Sequence, residues 1–166
     1  MSKNKSDKQQ NSETVRSETN ALPSVSLNGH YIKKLDIDNT NSPDSFAPQK
    51  DNPKIEVSVN FNNRNIEGDV YEVSLTIKAR ARSDASNLDL FDIKLIYGGL
   101  AILSNVTEEK QKEEILMIYL PNLLFPYARR VISDATRDSG FQPLFLEHID
   151  FASLYNKRKK EQSEMI

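Results

Sequence analysis

Hydrophobic and polar positions alternate with a period of two through the middle of this chain. The clearest run places Tyr71, Val73, Leu75, Ile77, Ala79 and Ala81 on one side and Glu72, Ser74, Thr76, Lys78, Arg80 and Arg82 on the other. Successive side chains of a strand point to opposite faces, so the run predicts a strand with one dry and one wet face, as in an antiparallel sheet. Three further strands follow from the same argument. Around Tyr31–Asp38, Leu35 and Ile37 are expected to face inward, with Lys34, Asp36 and Asp38 facing water. After Pro53, Ile55, Val57, Val59 and Phe61 alternate with Glu56, Ser58 and Asn60, and Asn62 to Gly68 is expected to turn the chain. From Leu88 to Leu103, Phe91, Ile93, Leu95 and Tyr97 oppose Leu90, Asp92, Lys94 and Ile96, so the wet face carries two apolar residues. The pair Gly98-Gly99 inside this strand predicts a bulge or a close backbone approach, because glycine otherwise only weakens a strand.

Beyond residue 104 the period lengthens to that of a helix. Thr107 is placed to cap a first helix, with Glu108 and Glu109 at the positive end of its dipole and Ile115, Met117, Ile118 and Leu120 as its apolar part. Pro121 is expected to end or bend it, and Pro126 to keep the path irregular, because proline lacks the amide hydrogen and crowds the preceding turn. A regular helix follows with Tyr127, Ala128, Val131, Ile132 and Ala135 on one stripe, stopped by Ser139-Gly140. Asp150 can cap a last helix carrying Phe151, Leu154 and Tyr155, with the basic run Lys157 to Lys160 near its end. Residues 1–24, rich in Ser, Asn, Gln, Lys and Glu, hold too few apolar groups to offset ordering entropy. They are expected to form a disordered tail, residues 25–160 the folded domain, and 161–166 a frayed end.

Composition narrows the chemistry. The mean hydropathy of −0.60 and the apolar share of 37% are low for a compact domain, which agrees with a thin core or an unfolded tail. The absence of cysteine excludes disulfides, zinc–thiolate sites and thiol nucleophiles. Neither a signal-peptide pattern nor a membrane-spanning run is present, so a cytoplasmic protein is expected. With 22 basic and 24 acidic residues there is no basic stripe of the kind nucleic acid requires. His30 and His148 have no neighbours at metal-ligand or triad spacing and read as surface residues. The acidic and basic residues from Glu108 to Glu114 read as a solvated helix start rather than a carboxylate pair for catalysis. No glycine-rich phosphate loop is present, so neither ATP, another cofactor nor a metal is expected. An enzyme is the weakest of the functional classes, for want of a nucleophile, base and orienting group together.

The segments Asp69-Val70-Tyr71-Glu72-Val73, Gly98-Gly99, Leu120 to Arg129 (LPNLLFPYAR), Gly140-Phe141-Gln142-Pro143-Leu144 and Ile149 to Tyr155 (IDFASLY) resemble the SecB family, in the right order from about Tyr31 to Tyr155. The resemblance implies an α+β fold, a four-stranded antiparallel sheet with helices packed on one face, assembling as a dimer of dimers. It also implies an ATP-independent holdase that keeps unfolded preproteins translocation-competent in the cytoplasm and delivers them to the motor SecA. An alternative is a SecB-like chaperone dedicated to one client, such as a toxin–antitoxin component.

For client peptides the resemblance points to Ile55, Val57 and Val59 with the rings Tyr127, Phe141, Phe151 and Tyr155; Phe145 belongs to the same set of aromatics. Rings offer a large apolar area at low entropic cost, although each taken singly is more simply a core residue. Motor docking falls in the family on acidic positions of the first and fourth strands. Two of them hold Lys34 and Lys94 here, while Asp38 keeps its acid and Asp36 and Asp92 add charge nearby. Ile93, Leu95, Tyr97, Ile115, Leu123 and Leu124 are the expected tetramer interface, because one sheet under a few short helices leaves apolar surface seeking cover.

Overall fold

The computed structural model describes residues 22–164, so the expected disordered tail lies almost entirely outside the described residues. Four strands form one antiparallel sheet in the order β1-β4-β3-β2. They are β1 (Ser24–Asp38), β2 (Lys54–Glu67), β3 (Val70–Ser83) and β4 (Leu88–Ser104). A 3-10 turn, Asp44–Phe46, lies in the first connection. Helix α1 (Glu109–Glu114) runs through a π segment (Ile115–Tyr119) straight into α2 (Leu120–Asp138), and α3 (Phe151–Glu164) closes the chain.

The alternating run of β3 is buried on its apolar side, with Val73, Leu75, Ile77, Ala79 and Ala81 between 0 and 2% exposed. Directly paired residues share a face, so Ile93, Leu95, Tyr97 and Gly99 of β4 join them under the helices. Helix α2 contributes Leu120, Leu124, Ala128 and Ile132, all with no exposed surface, at the spacing of one helix stripe. Gly98 and Gly99 mark close approaches on opposite faces and not a bulge. A β-carbon on Gly99 would lie 2.7 Å from Leu124 Cδ2, and one on Gly98 2.8 Å from the Tyr31 ring. The register shifts of the β1–β4 ladder fall instead in β1, at Leu27/Gly29 and Ile32/Lys34.

Several expectations are corrected. β2 does not turn at Asn62 but pairs with β3 as far as Glu67, and Gly68, at φ +53°, starts a tight reversal. The alternation fades there because Asn62 to Asn65 is polar on both faces, while the ladder to β3 holds the backbone extended. Leu35 and Ile37 lie on the helix side of the sheet opposite Leu95 and Ile93, yet they are 36% and 42% exposed because no helix reaches this edge. Leu90 is not on the wet face: a register shift beside Ala81/Arg82 turns it inward. Thr107 is not a cap, since Glu108 holds the N-cap position without a side-chain bond. Pro121 does not end the helix. The wider π turn before it gives the pyrrolidine ring room, and helical backbone continues past Pro126 to Asp138. Gly140, at φ +92°, ends α2 as expected. α3 continues past Glu161, so its basic run sits in mid-helix.

Candidate functional site

Beyond Gly140 the chain has no regular structure until α3 begins, but it is held in place. Thr136, fully buried near the end of α2, donates its hydroxyl to Ile132 O at 3.0 Å and accepts the Leu144 amide at 2.9 Å. Leu146 is buried below it. Asp150 then caps α3, accepting the Ser153 amide at 3.0 Å, and these hydrogen bonds hold its carboxyl below the usual range. The pinned segment forms one wall of an open cavity of about 730 Å³ against the helix-facing side of β2.

Ile55, Val57 and Val59 form one side of this groove, with Leu144, Phe145 and Ile149 from the pinned loop facing them and Leu154 and Lys157 from α3 closing it. Ile55, Val57 and Phe145 are 50%, 45% and 69% exposed, which is unusual for apolar side chains so close together. β2 thus lends the groove the three residues expected of it. The expected rings are dispersed. Phe151, 1% exposed, packs edge-on against Phe61 and Phe125 in the core, and Tyr155 is buried beside it. Both support the groove from below instead of lining it, because the buried face of α3 must fill the gap between β2 and α2. Phe141 sits against Phe46 and Phe91, and Tyr127 stacks on His30 at 4.2 Å on α2, away from the groove. Leu144, Ile149 and Leu154 complete the lining. The only trace of this in the sequence is apolar residues recurring without period around Pro143.

On the opposite, wet face, the register brings the five expected docking residues together. Asp36 lies across from Lys94 and Asp38 across from Asp92, while Lys34 pairs with its neighbour Asp36 at 3.0 Å. Asp89 adjoins them, its carboxyl held low chiefly by its hydrogen bond from Arg80. The patch therefore mixes charges of both signs. Further along the same face Glu72 is only 4% exposed. It accepts from Tyr31 Oη at 2.6 Å, Arg64 Nε at 2.6 Å and Lys33 Nζ at 2.9 Å. Of the expected interface residues, Ile93, Leu95, Tyr97 and Leu124 are 0–5% exposed within the chain's own core and present no surface to a partner. Leu123 stays exposed at 38%, and Ile115 is half-buried. Among the described residues no cluster of metal-ligating side chains is present, and no helix is long and apolar enough to cross a membrane.

A four-stranded antiparallel sheet with one face covered by helices and an apolar groove along its edge defines a small α+β protein with an open apolar surface. Its relatives give the class a family. The family model described as "Preprotein translocase subunit SecB" matches residues 18–162. The protein-export proteins SecB of Rickettsia akari and Rickettsia felis are 41% and 40% identical over 150 residues, covering 89% of this chain and 97% of each relative. A solved SecB-like chaperone of Mycobacterium tuberculosis, in complex with a peptide from an antitoxin, shares the fold with a TM-score of 0.61 at 14% identity, over 75% of this chain and 90% of that one. The chain belongs to the SecB family, and so to the protein-export chaperones, a class that binds client proteins and is not enzymatic.

Proposed function

We propose that this protein is a nucleotide-independent holdase of the cytoplasm that captures unfolded preproteins in the β2 groove and hands them to SecA. The observation that carries the reading is the exposed apolar row Ile55, Val57 and Val59 facing Phe145 and Ile149 across an open cavity. A folded protein has no need of such a surface, whereas extended apolar segments of a non-native chain fill it by hydrophobic contact alone. Relatives named as export proteins at about 40% identity over nearly their whole length support the export reading. The antitoxin-bound neighbour shares the fold alone, so the single-client alternative has less support.

The test is light scattering of a reduced, slowly folding protein with and without ATP. Suppression of aggregation is expected in both conditions and is expected to be lost in the double variant Ile55→Asp, Val57→Asp. Both positions are about half exposed, so the variant is expected to keep its fold by circular dichroism. Suppression only with ATP, or suppression unaffected by the two acids, would overturn the reading.

A further inference from the structure

The two breaks in the β1–β4 ladder differ in what they hold. At the second, the extra residue Lys33 reaches Glu72. At the first, β1 advances from Leu27 to Gly29 while β4 advances only from Ala101 to Leu100, so Asn28 is the extra residue of a bulge and has no partner across the ladder. β1 is an edge strand, paired with β4 alone, and Asn28 is exposed. The residue that follows it is a glycine that packing does not call for. A β-carbon on Gly29 would meet no heavy atom within 4 Å, and Gly29 is not among the glycines at positive φ. What the missing side chain does leave open is the approach to the glycine's own amide nitrogen. On the other side of Asn28, Ser26 Oγ donates to Asn28 Oδ1 at 3.0 Å. The side-chain carbonyl of Asn28 therefore has a donor on its oxygen and an unhindered main-chain nitrogen within reach of its carbon.

We infer that Asn28 is a site of spontaneous deamidation in the folded chain, with the Gly29 amide as nucleophile and Ser26 as a positioning residue. The Gly29 nitrogen gives up its proton to solvent base and forms a bond to Asn28 Cγ. Negative charge gathers on Oδ1, where the Ser26 hydroxyl already donates. The Cγ–Nδ2 bond then breaks, the nitrogen takes a proton from solvent and leaves as ammonia, and a cyclic succinimide remains. Water opens the ring, at Cγ to give aspartate or at the main-chain carbonyl to give isoaspartate. Water is consumed and ammonia released, with no oxidant or cofactor. Ring closure needs the main chain to turn out of its extended form, which a paired ladder residue resists; at the bulge that turn costs no cross-strand pair. Either product adds a negative charge to the β1 edge, and isoaspartate also adds a methylene to the main chain at the break. Ser24–Leu27 then loosen from β4, while Tyr31 keeps its bond to Glu72.

The experiment holds the full chain at mildly alkaline pH, samples it over time and reads its proteolytic fragments by mass spectrometry for the change from amide to acid. Fragmentation that distinguishes isoaspartate from aspartate identifies the product. Asn28 is expected to convert many-fold faster than Asn60, Asn62 and Asn63, which are paired in the β2–β3 ladder. Gly29→Ala, for which there is space, is expected to bring Asn28 down to their rate. Ser26→Ala is expected to slow the folded chain by about threefold or more, the worth of one neutral hydrogen bond. The same variant is expected to match the wild type in concentrated urea, where the two side chains are no longer held together. In the converted chain, hydrogen exchange is expected to quicken at Ser24–Leu27 and not at Tyr31. An Asn28 that converts no faster than the ladder asparagines would overturn the inference. A folded Ser26→Ala chain that converts at the wild-type rate would overturn the part given to Ser26, and unchanged exchange at Ser24–Leu27 the part given to loosening.

Discussion

Glu72 is the only charged side chain among the described residues that is closed off from water, and three donors from two strands, β1 and β2, converge on it. The Tyr31 hydroxyl, Arg64 and Lys33 together outweigh its burial and hold its carboxyl at about 2, well below the ordinary value. A folded-state value below the unfolded one stabilises the fold fully above about pH 4.5, and this contribution is lost as pH falls through about 2. Lys33 and Arg64 are partly exposed, so screening reduces the effect to about 1–3 kcal/mol. Glu72→Gln is expected to destabilise by that amount at pH 7 and to have a shallower loss of stability between pH 4.5 and 2. Urea titrations across this range check it; equal slopes for both proteins would refute the assignment. Gly98→Ala is expected to act on the same cluster, because its methyl would displace the Tyr31 ring that bonds Glu72.

At the scale of elements, the groove depends on two hydrogen bonds at the ends of its loop wall. Asp150 starts α3 in the right place, and losing this cap in Asp150→Ala is expected to cost about 0.5–2 kcal/mol. Thr136 reaches from α2 to the Leu144 amide. Thr136→Val keeps the shape but leaves that amide without its partner, at an expected cost of about 1–3 kcal/mol. Hydrogen exchange at Leu144 separates this local effect from a global one: the amide is expected to exchange faster in Thr136→Val while the β3 amides keep their protection. Unchanged exchange at Leu144 would show that another contact holds the wall.

On the scale of the whole molecule, the sheet edge at β1 leaves Ile32, Leu35 and Ile37 exposed on the helix side, and Tyr119 and Leu123 are exposed on the helical segment. Apolar surface of this extent favours association. A tetramer is the expected species in sedimentation equilibrium, and a strict monomer at all concentrations would refute that assembly. The proposed hand-over to SecA is tested on the outer face, where the family resemblance places docking of a basic tail of the motor. Lys34 and Lys94 stand beside Asp36, Asp38 and Asp92, and exposed pairs contribute only about 0.2–1 kcal/mol each. Reversing two of them turns repulsion of a basic tail into attraction. Lys34→Asp with Lys94→Glu is expected to tighten binding to such a tail up to about tenfold at low salt and less at moderate salt. Calorimetry that finds equal affinity for both proteins would place docking elsewhere.

Alternation in β3 and β4, the glycine stop of α2 and the Asp150 cap were legible in the sequence because each depends on neighbours a few residues away. So was the family, carried by LPNLLFPYAR and the segments around it. The apolar row of β2 was legible too, although alternation alone could not say whether it is covered. That was decided by where α2 and α3 lie: α2 covers β3 and β4 and buries Ile93, Leu95 and Leu124, while β1 and the outer half of β2 stay open. Phe151 and Tyr155 went to the core and Leu144, Phe145 and Ile149 to the groove, because a loop's side chains take their direction from the elements it is pinned to and not from a local period. The sequence by itself determined the four strands, the stop of α2, the start of α3 and the family, through short-range periodicity and capping. Only the tertiary structure decided which apolar residues remain free to bind, because exposure depends on contacts between segments far apart in the chain.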